Sequence, residues 1–499
     1  MKLRLTGRIA VGICLWILPA WAAEPQLTIY NQNFAVVRVL IPLNLKLGEN
    51  SIQFTDTTAY LEPDSVILRD PAGARTLQIL EQNYRADPIS QQRLLSVFEG
   101  KTLDFLVQRG DHTETIQGKI IRSGYVPSNP NALYGNPYRE NSYGMQQPII
   151  EVDGKLRFEL PGFPLFPPLA DDTTLKPTLD WVLLTDKPGQ VNAEFSYVTG
   201  QMNWNADYNL VAPEEGDHLD LVGWVTIHNE TGKTFDSARI KLMAGNVNKI
   251  QPAMADRFAA GAAGGIIGGV AGPPPVSERT FEEYHLYELH RPTTLHDQES
   301  KQVEFVRAAG IKSERVYVYD GMKVDQNRYR GWTTETIRSN ADYGTDSNPD
   351  VGVMREFNNS EANHLGMPLP AGRLRFYRQD TDGHLEFTGE NEIKHTPRDE
   401  MIRVFTGDAF DIKGERRRTD FRNDMAHRMM DESFEIKLRN HKKEPVVVRV
   451  VEHLYRGHSW AITEKSSDYL KTDAQTIEFQ VPVPPDSEQT VTYTVHYTW

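Results

Sequence analysis

The amino-acid sequence predicts an all-β protein, with several antiparallel β-sandwich or barrel-like domains in series, the last of them immunoglobulin-like. Short segments with alternating apolar residues recur along the chain, and turns rich in Gly, Asn, Asp and Pro separate them. One short segment in the N-terminal domain carries the signals of a helix. Hydrophobic residues make up 39% of the chain, which is enough for packed cores.

The stretch from Ser196 to Asn248 has the clearest strand pattern. Four short alternating segments follow one another there, and turn residues such as Asn229–Gly232 separate them. In the third segment the alternate positions are apolar or small, which predicts one buried sheet face. These positions are Leu219, Leu221, Gly223, Val225 and Ile227. The stretch therefore predicts a meander of antiparallel strands.

Residues 1–22 have the pattern of a secretory signal peptide. An apolar run from Ile9 to Leu18 lies between a basic start and a cleavage site of the A-x-A type. The basic residues are Lys2, Arg4 and Arg8, and the cleavage site is Ala20-Trp21-Ala22. We expect cleavage after Ala22. A transmembrane anchor is the alternative, but the run is shorter than the roughly 20 residues that a span needs.

The composition argues against several partners and chemistries. The formal net charge is −14 and becomes more negative once the basic signal segment is removed, so nucleic acid is not an expected partner. The single cysteine, Cys14, lies in that segment, so the exported chain cannot form a disulfide. No other apolar run reaches membrane-spanning length, and we expect no transmembrane helix in the mature chain.

Before residue 191 the pattern predicts a small N-terminal β-domain and a connecting region. The β-domain covers residues 24–125 and includes the short helix, which begins at Asp87–Pro88 and ends before Gly100. Residues 126–190 follow as a long loop and a connecting hairpin around the Asp153–Gly154 turn.

Two β-sandwich domains are expected after that region. The central sandwich covers residues 191–398 and contains a Gly/Ala-rich insertion at 258–275. We interpret the insertion as a flexible connection, with a glycine-spaced helix for oligomerisation or membrane contact as the alternative. Residues 399–499 have the strand number and spacing of an immunoglobulin-like sandwich without a cysteine pair.

Several segments of the second half resemble a known family. They are YVTGQMNWNADY (197–208), LVGWVTIHNETGKTFDSARIKLMAG (221–245), LPAGRLRFY (369–377), GENEIKHTP (389–397), GDAFDI (407–412), ESFEIKLRNHKKEPVVVRVVE (432–452) and VTYTVHYTW (491–499). In this order they are similar to the exported proteins of the DUF4139 family, which includes mucoidy-inhibitor-like proteins. The resemblance covers roughly residues 190–499. It implies an all-β, exported protein and no particular activity. No coiled-coil segment precedes the shared region, in contrast to the mucoidy-inhibitor pattern.

No residue pattern predicts a catalytic centre or a cofactor. The best candidates for metal ligands are His285, Glu288 and His290, with His296 further along the chain. The ligands of zinc protease motifs share one face of a helix, whereas these residues lie on a predicted strand. Side chains at His285 and His290 then point to opposite sides, so they remain candidates only and no metal is predicted.

Arg416, Arg417 and Arg418 are unusual in such an acidic chain. Together with Lys413 and Arg422 they are candidates for binding an envelope polymer that carries carboxylates or phosphates. The alternative is a solvated loop between two strands, in which the arginines pair with neighbouring acids.

The sequence favours an exported bacterial envelope protein that is periplasmic, outer-membrane-associated or secreted. We expect a non-catalytic binding or scaffolding module for another envelope protein or an anionic glycan, with the oligomeric state left open. One alternative is a hydrolase of polysaccharide or cell wall, because paired acids such as Glu390/Glu392 are present. Another is an outer-membrane β-barrel, because Thr490–Trp499 alternates aromatic residues and ends on one.

Overall fold

A computed structural model describes residues 24–85, 91–110, 112–125, 147–167, 176–249, 276–324 and 328–499. The predicted signal peptide, the predicted helix start at Asp87–Pro88, most of the predicted loop at 126–148 and the Gly/Ala insertion lie outside these ranges. Most of the described chain is β-strand in several separate sheets, which confirms the all-β, multi-domain prediction. Within the described ranges, no helix is long and apolar enough to cross a membrane.

The strands before the Gly/Ala insertion fall into three groups along the chain. The first are β1 (Gln26–Tyr30), β2 (Phe34–Leu45), β3 (Gly48–Phe54), β4 (Ile67–Arg69) and β5 (Leu77–Arg85). Helix α1 (Gln91–Val97) precedes β6 (Thr102–Arg109), β7 (His112–Arg122), β8 (Ile149–Val152), β9 (Lys155–Arg157) and β10 (Phe163–Leu165). Then come β11 (Thr178–Thr185), β12 (Gly189–Gly200), β13 (Met202–Ala212), β14 (His218–Asn229) and β15 (Phe235–Ala244).

The remaining elements begin after that insertion. They start with β16 (Val276–Phe281), β17 (Tyr284–Leu289), β18 (Thr293–Leu295), β19 (Glu299–Lys312) and β20 (Glu314–Asp320). Helix α2 (Thr334–Ser339) is followed by β21 (Asp350–Asn358), β22 (Gly372–Gln379) and β23 (Leu385–Ile393). The last strands are β24 (Met401–Asp424), β25 (Met429–Asn440), β26 (Val446–His453), β27 (Ser459–Lys465), β28 (Tyr469–Lys471), β29 (Thr476–Val483) and β30 (Ser487–Thr498). Short 3-10 helices lie at Pro63–Ser65 and Glu361–Asn363.

Three sheets enclose one large core, and we call this assembly the central body. An eight-stranded sheet has the order β16-β17-β15-β1-β2-β12-β4, with β18 added on β15, and it faces the five-stranded sheet β19-β14-β13-β22-β23. The three-stranded sheet β3-β11-β5 contributes to the same core. The alternate residues predicted for β14 are buried, which confirms the expected inward face. Between them, Gly223 leaves room for the ring of Phe305, which a Cβ would contact at 2.8 Å.

The N-terminal strands do not form a core separate from the central strands. Strand β1 pairs in parallel with β15, and strands β1–β5 all pack within the central body. The described residues of 91–110, 112–125 and 147–167 instead form a small unit of their own, in which α1 covers the sheet β10-β6-β7-β8-β9 around Leu95 and Phe105. The boundary expected at residue 125 therefore does not follow the cores. The cores instead divide the chain at both ends of this inserted unit.

Nine strands enclose the core of what we call the C-terminal body, in the order β27-β30-β25-β24-β21-β20-β26-β29-β28. The two halves of this sheet face each other, since the rings of Tyr493 on β30 and Phe479 on β29 lie 5.7 Å apart. The alternating residues Val491, Tyr493, Val495 and Tyr497 face this core. Strands β20 and β21 belong to the same sheet, although they precede the boundary expected at residue 399.

An asparagine closes the same kind of turn in both bodies. Asn229 ends β14 and Asn440 ends β25, and each buried side-chain amide donates to three backbone carbonyl oxygens. The acceptors belong to Lys233, Leu295 and His296 for Asn229, and to Glu444, Val483 and Pro484 for Asn440. Each Oδ1 accepts from the backbone N–H two residues later. The two bodies thus share the same asparagine-closed turn.

Candidate ligand-binding groove

The strongest candidate site lies on the outward face of the eight-stranded sheet. Along β1, Leu27 and Ile29 point into the core, so Gln26, Thr28 and Tyr30 point outward. The same alternation in the neighbouring strands β2, β15, β17 and β16 places every second side chain on this face. The groove is therefore built from five adjacent strands.

Strand register places charged residues in rows across the groove. Gln26 pairs with Arg38 of β2 on one side and with Arg239 of β15 on the other. In the next row on this face, Lys241 of β15 pairs with Glu288 of β17. Side chains that are directly opposite each other on one face of a sheet lie close together. The register thus concentrates cations that are distant in the sequence.

The groove has a volume of about 400 Å³. Its lining consists of Gln26, Leu27, Thr28, Tyr30, Val36, Arg38, Arg239, Lys241, Met243, Arg279, Phe281, Leu286 and Glu288. Four of these residues are basic and one is acidic, although the whole chain has a formal net charge of −14. The groove is therefore a local basic surface on an acidic protein, and this polarity favours an anionic ligand.

The internal ion pairs of the groove leave these cations available. Arg38 Nε lies 3.6 Å from Glu194, and Lys241 Nζ lies 3.9 Å from Glu288, so both contacts are long. Such partly exposed pairs contribute little to stability. The guanidinium of Arg279 lies over the Phe281 ring at 5.7 Å and forms no ion pair with a residue in the described ranges. Arg239 is paired more closely, with Glu24 at 2.7 Å, but is largely exposed.

Apolar groups form the other part of the groove. Met243 and Leu286 are buried side by side in paired positions of β15 and β17. The ring of Tyr30 stacks on Phe34 with centroids 4.2 Å apart. Burial raises the pKa of Tyr30, so its hydroxyl stays protonated near neutral pH and can donate a hydrogen bond. The groove thus offers cations beside an aromatic and apolar surface.

The structure does not bring the predicted metal candidates together. His285 hydrogen-bonds through Nδ1 to Glu278 at 2.8 Å, whereas Glu288 belongs to the groove on the other face of β17. His290 is exposed beyond the end of that strand. In the ranges that the structure describes, no group of three or more His, Cys, Asp or Glu side chains is arranged to hold a metal ion.

The three consecutive arginines lie inside strand β24, where successive side chains point to opposite faces. Arg416 points into the core of the C-terminal body, and Arg417 points to solvent and pairs with Glu435 at 2.9 Å. Arg418 is largely buried and contacts Glu432. The three arginines therefore form no common exposed face, in contrast to the surface cluster that we expected from the sequence. Lys413 and Arg422 also pair with acids, Asp350 and Asp420, each at 2.9 Å.

Arg416 belongs to a buried ionic network. Its Nε lies 2.9 Å from both carboxylate oxygens of Glu452, which also accepts a 2.5 Å hydrogen bond from the hydroxyl of Tyr493. Burial alone would lower the pKa of Arg416, but the charge of Glu452, the neighbouring Tyr493 and the hydrogen bonds to both together outweigh burial and raise it. A second buried pair joins Arg456 to Glu432 at 2.9 Å. Both arginines are therefore charged structural groups.

These arginines also hold residues 328–349, which we call the strap, against the C-terminal body. Arg456 donates to the carbonyl oxygens of Ile337, Asn340 and Tyr343, and Arg416 donates to that of Gly344 at 2.8 Å. Arg418 donates to the carbonyl of Ala341. The run of arginines thus anchors a connection between strands and does not supply a binding surface.

Sequence reasoning missed the groove. Arg239 and Lys241 do carry a local signal, because they alternate with buried Ile240 and Leu242 and so must share the outward face. Arg38 lies about two hundred residues earlier in the chain, and only the pairing of β1 with both β2 and β15 brings it alongside.

The fold and the groove together define an all-β, multi-domain protein with a basic groove on one outer sheet face. The family model described as Domain of unknown function (DUF4139) matches residues 193–499. The chain therefore belongs to the DUF4139 family, as the sequence motifs indicated. Comparison with curated proteins and with solved structures gave no match. The family region includes Arg239, Lys241, Arg279 and Glu288, whereas Gln26 and Arg38 precede it.

Proposed function

We propose that this protein is an exported binding module of the bacterial envelope that holds an anionic glycan in the basic groove. The observation that carries the proposal is the concentration of Arg38, Arg239, Lys241 and Arg279 around one cavity of an otherwise acidic chain. Arg38 and Lys241 make only long contacts with acidic residues of the protein. Carboxylate or phosphate groups of the glycan would take the place of these acidic residues. An acidic segment of an envelope protein presents similar groups and is the alternative partner.

The size and lining of the groove suit a short stretch of an acidic polysaccharide. A volume of about 400 Å³ falls within the usual range for small-ligand sites, which is roughly 300–1,000 Å³. Sugar rings have apolar C–H faces that pack on aromatic and aliphatic groups, and the partly exposed rings of Tyr30 and Phe281 supply such groups beside the cations. The charges would orient the acidic groups while the apolar residues contact the ring.

Removal of three groove cations is expected to weaken binding of polygalacturonate by at least about tenfold, because each loses a charge-assisted contact. The variant carries Arg239→Ala, Lys241→Ala and Arg279→Ala, and affinity is measured by isothermal titration at several salt concentrations. Affinity of the unmodified protein is expected to fall as salt rises, and the variant is expected to show a shallower dependence.

A matched control removes three exposed cations elsewhere, Arg417, Arg422 and Lys443, each changed to alanine. This control is expected to bind polygalacturonate as the unmodified protein does. Equal weakening in both variants would mean that net charge, and not the groove, governs binding, and would contradict the proposal. Neutral dextran tests whether charge is needed. Tighter binding of polyglutamate than of polygalacturonate would favour the protein partner.

The export part of the proposal rests on the basic, apolar and A-x-A pattern of residues 1–22. Expression in a bacterium with two membranes is expected to give a processed chain outside the cytoplasm that begins at Ala23. N-terminal sequencing of the fractionated protein measures this directly. Accumulation of the full-length chain in the cytoplasm would contradict export.

A further inference from the structure

The opposite outer face of the central body has a different chemistry. Along β13 the side chains of Asn203, Asn205, Asp207 and Asn209 point outward, and the residues between them are buried. Strand β13 is an interior strand that pairs with β14 and β22. Asn and Asp are unfavourable in strands, and four in succession on one face of an interior strand need a reason other than sheet stability.

Part of this face is already held in position by hydrogen bonds. Asn205 donates from Nδ2 to Asp207 at 2.7 Å, and its Oδ1 lies 3.3 Å from Nε2 of His228. Because Oδ1 can only accept, Nε2 of His228 donates to it, and Nδ1 of the same ring lies 2.7 Å from the hydroxyl oxygen of Ser300. Thr226 donates to the same Asp207 oxygen at 3.4 Å. The carboxylate of Asp207 is thus oriented from one side of the face.

The other part of the face presents polar groups that have no protein partner. Strand register aligns Trp224 of β14, Asp207 of β13 and Arg373 of β22 in one row, and Asn209 lies in the next row. Within the described chain, the indole N–H of Trp224, the amide of Asn209 and the guanidinium of Arg373 form no hydrogen bond or ion pair. The row therefore offers free donors around a partly exposed aromatic ring.

The charges of this face are nearly balanced, in contrast to the groove. Around the row of Trp224, Asp207 and Arg373 the acids are Asp207, Glu304, Glu390 and Glu392, and the bases are Arg307, Arg373 and Arg375. Two pairs neutralise one another locally, Arg307 with Glu304 at 2.6 Å and Arg375 with Glu390 at 3.6 Å. A strongly charged polymer gains little from such a surface, whereas a neutral ligand rich in hydroxyl groups matches it.

We propose that this face binds a neutral polysaccharide, with a sugar ring packed on Trp224 and its hydroxyl groups bonded to Asp207, Asn209 and Arg373. An aromatic ring supplies apolar contact for the C–H face of a sugar, and planar amide, carboxylate and guanidinium groups supply fixed donors and acceptors for neighbouring hydroxyls. The site is independent of the basic groove, because the two faces belong to different sheets of the central body. One chain then contacts a neutral and an acidic glycan on opposite sides.

The test is isothermal titration calorimetry of the processed protein with three neutral probes, maltohexaose, cellohexaose and chitohexaose. We expect millimolar or tighter binding of at least one of them. The Trp224→Ala and Asn209→Ala variants are each expected to weaken that binding by about tenfold or more, as removal of a central aromatic or hydrogen-bonding anchor does. Trp224→Phe keeps an aromatic ring and is expected to retain most of the affinity.

Arg279→Ala is the matched control, because it alters the groove on the other sheet and is expected to leave the hexasaccharide affinity unchanged. Trp224→Ala is in turn expected to leave polygalacturonate binding unchanged, so failure of one site is distinguishable from failure of the other. If Trp224→Ala does not fold, Asn209→Ala and Trp224→Phe decide the result. Absence of binding to all three probes, or binding that Arg279→Ala abolishes and Asn209→Ala does not, would overturn the proposal.

Discussion

Replacement of Arg416 by methionine is expected to lower the free energy of unfolding of the C-terminal body by about 3–5 kcal/mol. The side chain of Arg416 is 2% exposed and that of Glu452 is 0% exposed, so the substitution leaves a carboxylate buried without its counter-ion. It also removes the hydrogen bond to the carbonyl of Gly344 and the stacking of the guanidinium on Phe434, which lies 4.0 Å away. Chemical denaturation followed by the loss of strand signal measures the change.

The neighbouring Arg417→Met variant is the control, because it removes the same charge one position along the same strand. Arg417 is exposed, and its pair with Glu435 is expected to contribute less than about 1 kcal/mol. A double variant, Arg416→Met with Glu452→Leu, is expected to recover much of the lost stability, because it removes the uncompensated charge. Equal stability of the two single variants would contradict the buried network.

Replacement of Asn440 by alanine is expected to cost roughly 3 kcal/mol, because two N–H donors shared by three carbonyl oxygens and the acceptor for the N–H of Lys442 are lost at once. Nδ2 of Asn440 lies 2.9 Å from the oxygen of Glu444, 3.2 Å from that of Val483 and 3.0 Å from that of Pro484. Asn440→Asp is expected to be worse, since it sets a carboxylate against the same oxygens. Thermal and denaturant unfolding measure both variants.

A half-buried asparagine in a strand, Asn391, provides the comparison. Its Nδ2 donates to the carbonyl of Phe405 at 3.3 Å, and its Oδ1 accepts a local hydrogen bond from the backbone N–H of Glu392 at 2.7 Å. Asn391→Ala is expected to cost less than about 1 kcal/mol, because both backbone groups remain accessible to water. Asn229→Ala, which breaks the equivalent turn of the central body, is expected to resemble Asn440→Ala. A loss at Asn440 no larger than that at Asn391 would show that the turn does not depend on this side chain.

The sequence predicted strands well because burial follows residue alternation. The period-two pattern of Leu219–Ile227 marks a face that is buried in the structure, and the apolar positions of helix α1 include the buried Leu95. Such signals are local and need no knowledge of the partner strand. The same pattern in the final strand indicates one apolar face but does not indicate what that face contacts.

The division into bodies depended on pairings that are distant in the sequence. Strand β1 pairs with β15 more than two hundred residues later, and β20 pairs with β26 across the whole of β24 and β25. No local pattern encodes these neighbours. The sequence pattern therefore separates strands that share one core, and it does not indicate that helix α1 and strands β6–β10 form a core of their own.

The sequence did not predict the candidate site, for a related reason. Three consecutive arginines suggested a surface because charged residues are mostly exposed, but Arg416 has a buried partner 36 positions away. The cations of the groove, in contrast, are scattered between Arg38 and Arg279, and only sheet register collects them. The pattern Ile227-x-Asn229 recurs as Leu438-x-Asn440, and the two asparagines close equivalent turns in the structure.

A crystal structure of the protein with trigalacturonate tests the central claim most directly. The binding proposal predicts the ligand in the groove of the eight-stranded sheet, with a carboxylate within hydrogen-bond distance of Arg279 or Arg239 and a sugar ring beside Tyr30. A trigalacturonate bound elsewhere, for example beside the exposed Arg417 and Arg422, or an empty groove at saturating ligand, would contradict the claim.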